Sequence, residues 1–256
     1  MPVRAEHDRE VLAGLLGRDP VLHAYQLGDL DDFFWPYTSW FRRGDQVALL
    51  YHGADPPTLL AFAAPPDVAE LAALLRELGP LLPARLYAHL SPGLDAALSP
   101  WFHGGGAAHR KMALTDPARL ALVAPAGVAL GAADLPLLQT LYAEAYPGNW
   151  FDPRMLDTGQ YLGVRDGGAL VAVAGVHVWS PTYRVAALGN VTTHPAARGR
   201  GVASAVVAAL CRRLLGTVEH VTLNVRADNT AAVRLYERLG FTVVADYGEY
   251  SLTARR

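Results

Sequence analysis

This 256-residue sequence predicts an α/β fold with an α+β mixed sheet, laid out as two halves. Three observations carry that expectation. Short apolar and β-branched runs alternate along the chain with stretches whose apolar residues recur every three or four positions, the periods of buried strands and one-faced helices. A Pro/Ala-rich segment, Asp116-Pro117 to Pro125-Ala126-Gly127, divides the chain near its middle as a linker does. In the second half alone, a strand runs through a Gly- and Arg-rich turn directly into a helix. The expected domains are residues 1–122 and 127–256.

In chain order, residues 9–32 read as helix in two pieces, broken at Asp19-Pro20 because proline cannot continue a helix. Residues 33–41, Phe33-Phe34-Trp35-Pro36-Tyr37-Thr38-Ser39-Trp40-Phe41, are densely aromatic and fit an anchor of helix on sheet better than a pocket wall. Residues 46–51 and 58–63 read as strands about a Gly53-to-Pro57 turn. Asp67 is the expected cap of a helix that turns Val68, Leu71, Leu74, Leu75 and Leu78 inward and stops at Gly79-Pro80. A strand over 85–90, a short helix over 94–102, a Gly104-Gly105-Gly106 loop and a strand over 110–114 complete the half. The triple glycine precedes a strand-like stretch, so it does not read as a phosphate cradle.

The second half opens on a strand at Val128-Ala129-Leu130. A helix beginning at Ala133-Asp134 follows, carrying Leu137, Leu138, Leu141, Tyr142 and Ala145. Tyr146 to Pro153 reads as an irregular aromatic turn. Strands over 161–164 and 170–179 are joined by Arg165-Asp166-Gly167-Gly168, a hairpin signal. Residues 185–193 form the next strand, short, apolar and β-branched at its end. Val202, Val206, Leu210 and Leu214, widened by Ala203 and Val207, mark a helix. Residues 221–225 are a strand, and Asn229 is the expected N-cap of a helix over 230–239 ended by Gly240 at C′. The tail supplies two closing strands, 241–245 and 249–252.

Composition excludes several classes of function. Hydrophobic residues make up 52% and charged residues 18%, which rules out a disordered chain. A net charge of −2 gives no general attraction to nucleic acid or to an anionic membrane, so neither is expected as a partner. No apolar run approaches the length of a membrane span, and the first eight residues are charged with no apolar signal core. The single cysteine, Cys211, fits a reducing, cytoplasmic setting and a packing role far better than a nucleophile's. The nine histidines lack metal-ligand spacing, so no metal is expected.

The turn Thr193-His194-Pro195-Ala196-Ala197-Arg198-Gly199-Arg200-Gly201-Val202-Ala203-Ser204 is the chemical centre of the chain. A helix N-terminus offers unpaired N–H groups and a positive dipole end, here flanked by two guanidinium groups, so the turn suits a phosphorylated ligand. It is not the triphosphatase loop, because Val202-Ala203 stand where Lys-Ser/Thr are needed. The dinucleotide fingerprint fits poorly: Gly199 comes six residues after the strand end at Thr193, and Glu219 precedes the next strand. Arg198-x-x-Gly201-x-Ala203, followed by Asn229-x-x-Ala232-x-x-Leu235-Tyr236-x-x-Leu239-Gly240-Phe241, resembles the GNAT superfamily of acetyl-CoA-dependent N-acyltransferases. The branch containing the ribosomal-protein alanine acetyltransferases is the nearest. The resemblance covers residue 127 to the C-terminus. The two-part layout is similar to the glycine N-acyltransferase arrangement, which implies tandem GNAT-like halves with the N-terminal one degenerate.

The resemblance implies a function. Residues Arg198, Gly199, Arg200, Gly201, Val202, Ala203 and Ser204 would hold the pyrophosphate of coenzyme A. The strand Val191-Thr192-Thr193 would part from its neighbour and pair with the pantetheine arm. An N–H near Val191 would face the thioester oxygen, with Gly189 suited to the accompanying bulge. Asn229 matches the residue that bonds the cofactor arm, and is also a plain N-cap. Tyr236 matches the acid that protonates the departing thiolate. The family's catalytic glutamates are absent: Asn224 occupies one position and Ala187 the other. Asn224 can orient a water but cannot take a proton. His177, Glu144, Asp152 and His194 remain as candidate bases. The expected reaction is direct transfer of an acyl group, acetyl by the resemblance, from acetyl-CoA to the amine of a small molecule or protein. A non-catalytic acyl-CoA sensor is the alternative, and a dinucleotide-dependent oxidoreductase comes third.

Overall fold

The computed structural model describes residues 2–255. The chain divides into two compact units, one of Met1–Lys111, Val225–Asp228 and Val243–Arg256, the other of Met112–Asn224 and Asn229–Thr242. In chain order the elements are β1 (Arg4–Ala5), α1 (Arg9–Leu16), α2 (Ala24–Gly28), β2 (Thr38–Arg43), β3 (Gln46–Tyr51), β4 (Thr58–Ala61), α3 (Val68–Leu78), β5 (Arg85–Leu90), α4 (Asp95–Leu98) and β6 (Phe102–Leu114). There follow β7 (Val128–Ala129), α5 (Leu135–Ala145), β8 (Leu162–Asp166), β9 (Ala169–Ser180), β10 (Val185–Thr193), α6 (Val202–Leu214), β11 (His220–Arg226), α7 (Thr230–Arg238) and β12 (Phe241–Ala254). Among the described residues, no helix is long and apolar enough to cross a membrane.

In the first unit the strands run β1-β2-β3-β4-β5-β12-β6, and in the second β11-β10-β9-β8-β7. Among the described residues pairing is mostly antiparallel, and each unit contains a parallel pair joined by a crossover helix. These are β4 and β5 around α3, and β10 and β11 around α6. The α/β class with a mixed sheet therefore holds in both units. The crossovers differ at the helix start. Pro65 and Pro66 lead into α3, and neither has an N–H to offer a ligand. Gly201 leads into α6.

The structure departs from the sequence reading at three places. The triple glycine is no loop: it lies inside the 13-residue strand β6, where a Cβ on Gly104 would sit 1.9 Å from Ser251 O and one on Gly106 2.6 Å from Glu249 O. The glycines are there for close approach of two backbones. The tail is one 14-residue strand, β12, in place of two. Asp67 stands at the start of α3 but its side chain makes no capping bond, because a 3-10 turn over Pro65–Asp67 feeds the helix directly.

The first unit encloses a polar cluster that periodicity does not reveal. Tyr87 and Tyr247 both donate hydroxyl hydrogen bonds to the Glu249 carboxylate. His109 Nε2 lies 3.4 Å and His89 Nδ1 3.7 Å from that carboxylate. Beside them the fully buried Lys111 ammonium lies 4.6 Å from the Phe62 ring centroid and 4.9 Å from that of Tyr25. Burial pulls its pKa from 10.5 down to about 7, against the attraction of Glu249 and Asp19. The folded state thus binds fewer protons than the unfolded chain between pH 7 and 10.5, so stability rises with pH across that window. Wild type is expected to gain about 1–4 kcal/mol over Lys111→Met between pH 6.5 and 10 in urea melts, on the scale of about 1.4 kcal/mol per pKa unit. A difference between the two proteins that does not change with pH would place that proton uptake elsewhere.

Candidate functional site

In the second unit β10 enters a 3-10 turn over Pro195–Ala197, and the chain then passes Arg198 to the start of α6. Gly199 and Gly201 have φ of +75° and +78°, backbone that disfavours any side chain, and a Cβ on either would meet nothing within 4 Å. Gly201 is the N-cap and no side chain caps the helix, so the first-turn N–H groups have no side-chain acceptor. α6 is anchored beneath by buried Val206, Val207, Leu210, Cys211 and Leu214. Cys211 is fully buried and burial pushes its thiol up, as suits a packing residue. The open, rigidly backed helix start fits an anionic phosphate group.

The two arginines of the turn differ. Arg198 Nε donates to Thr193 O at 3.3 Å, which ties its exposed side chain to the end of β10. Arg200 Nη1 reaches Asp166 Oδ2 at 3.2 Å, in an exposed pair. Val202, Ala203 and Ser204 are half-buried at the helix start.

β10 and β11 stay in parallel register from Val185↔His220 to Leu188↔Leu223, and the register goes no further. Asn224 on β11 and Val191, Thr192 and Thr193 on β10 come just past this point. The β9–β10 register slips between Gly189↔Gly175 and Thr192↔Val173, so Asn190 and Val191 together face a single residue. This is the bulge expected near Gly189, but the left-handed residue in it is Asn190, with φ +55°. Gly189 is required for another reason: a Cβ there would lie 2.2 Å from the His177 ring. Thr192 points its side chain into the interior, while Val191 and Thr193 are half-exposed.

Tyr236 is buried on α7, with its ring 5.8 Å from that of Phe241 in an edge-on arrangement. Burial first, then Cys211 and Tyr146 nearby, push its phenol pKa up, so the hydroxyl keeps its proton at neutral pH. Asn229 caps α7 by accepting from Ala232 N at 3.2 Å.

The candidate bases separate by their surroundings. Asp152 already accepts from Arg154 N at 2.9 Å and pairs with the Arg154 guanidinium, which makes it a structural cap. His194 accepts from Ala196 N through Nδ1 and lies 3.3 Å from Glu144 through Nε2, leaving neither ring nitrogen idle. His177 lies over Gly189, with the Trp150 ring 6.1 Å away. Among the described residues no group of three or more His, Cys, Asp or Glu is placed to hold a metal ion.

Sequence reasoning missed Tyr142, Tyr161 and Asp166. The first two are apolar-period residues with nothing to mark their hydroxyls, and Asp166 ends β8 beside a hairpin turn, where acidic residues are common.

With this geometry in place, comparison with known proteins is informative. Residues 134–241 match the family described as "Acetyltransferase (GNAT) family". A mycothiol acetyltransferase of Mycolicibacterium gilvum is 40% identical over 115 residues, covering 41% of this chain and 35% of that protein. The N-alpha-acetyltransferase RimI of Mycobacterium tuberculosis is 39% identical over 85 residues, covering 32% of this chain and 51% of that protein. The matches thus span about a third to a half of the length of these relatives. A solved tandem GNAT protein from the clavulanic acid biosynthesis pathway superposes with a TM-score of 0.56 over 99% of this chain and 98% of that one, at 18% identity, which speaks to fold.

Proposed function

We propose that this chain, of which residues 134–241 match the GNAT acetyltransferase family, transfers an acetyl group from acetyl-CoA to a primary amine by direct attack in a ternary complex. The observation that supports it most is the start of α6. Left-handed Gly201 leaves the first-turn N–H groups without a side-chain cap, and Arg198, bonded to Thr193 O, precedes them in the same turn. That is where the pyrophosphate of acetyl-CoA would bind, with Arg198 to Ser204 and Asn229 holding the cofactor. Past Leu188 and Leu223 the strands cease to pair, which leaves the backbone of Val191 to Thr193 for the pantetheine arm. Tyr236 would protonate the departing thiolate, and Asn224 would orient a water toward the attacking amine. When bound, acetyl-CoA supplies the activated thioester; the protein's part is to align it and to move protons.

The relatives' names give two acceptor classes to try, a small-molecule amine and a peptide α-amine. The test is release of free thiol from acetyl-CoA in the presence of a panel of small amines and N-terminal peptides, alongside calorimetric binding of acetyl-CoA. Amine-dependent thiol release supports transfer, and failure to bind acetyl-CoA rejects the reading. A non-catalytic acyl-CoA sensor is the second reading, favoured by the amide of Asn224 on the strand position where the resembled family carries a glutamate. It requires binding with no amine-dependent release.

A further inference from the structure

The bulge in β10 is held by a hydrogen-bonded brace. Asn190 has φ +55°, a conformation that only glycine adopts freely, although asparagine tolerates it better than most residues. Its side chain is buried, and Nδ2 donates to Tyr161 Oη at 2.8 Å. Tyr161 in turn donates to Val176 O at 3.0 Å on β9. The main-chain carbonyl of Asn190 accepts from Tyr142 Oη at 3.3 Å, on α5. Both phenols are buried, and burial pushes their pKa values up, so they remain donors.

The consequence follows from peptide planarity. In a trans peptide the carbonyl of one residue and the N–H of the next point in opposite directions. With the Asn190 carbonyl turned toward Tyr142, the Val191 N–H is turned away from it. Val191 lies within the register slip against β9 and beyond the last residue of β10 that pairs with β11. Without the brace, neither hydrogen bond would hold the Asn190 carbonyl, and with it the Val191 N–H, in that direction.

We propose that Tyr142 and Tyr161 are positioning residues that lock Asn190 in its left-handed conformation and so aim the Val191 N–H at the acyl carbonyl of bound acetyl-CoA. This rests on the acetyltransferase reading given above. Neither tyrosine touches the reacting atoms. Each acts through the backbone of Asn190, and a carbonyl that gains negative charge during attack needs such a donor fixed in advance.

The test uses the whole chain labelled at valine, with the Val191 amide followed by NMR on adding acetyl-CoA or coenzyme A. In wild type the Val191 amide shifts differently with the two ligands, because only acetyl-CoA brings a carbonyl. In Tyr142→Phe and Tyr161→Phe that difference is lost while coenzyme A affinity stays within about threefold, and kcat falls about tenfold or more with little change in KM. Asn190→Gly keeps the difference, since glycine adopts positive φ without help, whereas Asn190→Ala loses it. That glycine–alanine contrast separates backbone positioning from a general loss of packing. Tyr142→Phe with an undiminished acetyl-CoA-specific shift overturns the brace and leaves the acetyltransferase reading intact. Absence of any response in β10 to either ligand overturns both.

Discussion

Tyr236→Phe is expected to reduce turnover by about 10²–10⁴, the usual contribution of a positioned proton donor. It should leave fold and cofactor binding nearly unchanged. Phenylalanine keeps the ring that packs edge-on against Phe241 and removes only the hydroxyl. The site favours that role for the hydroxyl: burial first, then Cys211 and Tyr146, push its pKa upward. It therefore keeps its proton at neutral pH, as a donor to a thiolate must. Kinetics at saturating acetyl-CoA check the assignment. A fall confined to kcat, with acetyl-CoA affinity within about threefold, places the hydroxyl in the transition state and not in ground-state binding. If the variant keeps most of its kcat, the proton comes from elsewhere and Tyr236 is a packing residue. If neither protein shows amine-dependent turnover while both bind acetyl-CoA, the sensor reading stands.

What could be read from the sequence was whatever local period and local chemistry decide. β10 over Val185–Thr193 and α6 over Val202–Leu214 match the expected bounds because an apolar β-branched run and a four-residue apolar repeat each have a single good home. The N-cap at Asn229 and the C-terminal Gly240, with φ +98°, follow from turn chemistry. The parts that stayed hidden depend on contacts distant in sequence. Gly104 and Gly106 look like loop glycines until the backbone of Ser251 and Glu249 is placed against them. Asn190 takes its positive φ from hydrogen bonds with Tyr142 and Tyr161, 48 and 29 residues away. The enclosure of Lys111 by Tyr25, Phe62 and Tyr247 is visible only in three dimensions. The position of Asn224 where a base was sought was legible from the start; what takes the proton was not, because a water or a distant imidazole leaves no pattern in the chain.

The arginines of the turn yield the second large effect, and the structure ranks them. Arg198→Ala is expected to weaken acetyl-CoA binding by about ten- to a hundredfold, the loss of charge-assisted hydrogen bonds worth about 1.5–3 kcal/mol. The bond from Nε to Thr193 O fixes the side chain at the end of β10 and leaves the outer guanidinium nitrogens to the ligand. Arg200→Ala should cost less than about threefold, because its guanidinium is exposed and already partnered by Asp166. Asp166→Asn supplies the internal check: releasing Arg200 should raise affinity by about two- to threefold at low salt, and screening should erase the gain at high salt. Calorimetry of the three variants at two salt concentrations decides the matter. Equal losses for Arg198→Ala and Arg200→Ala would mean that the ligand draws Arg200 away from Asp166, so that both arginines share the phosphate. Unchanged binding in Arg198→Ala would remove the turn from the cofactor site altogether, leaving the N–H groups at the start of α6 without their assigned ligand.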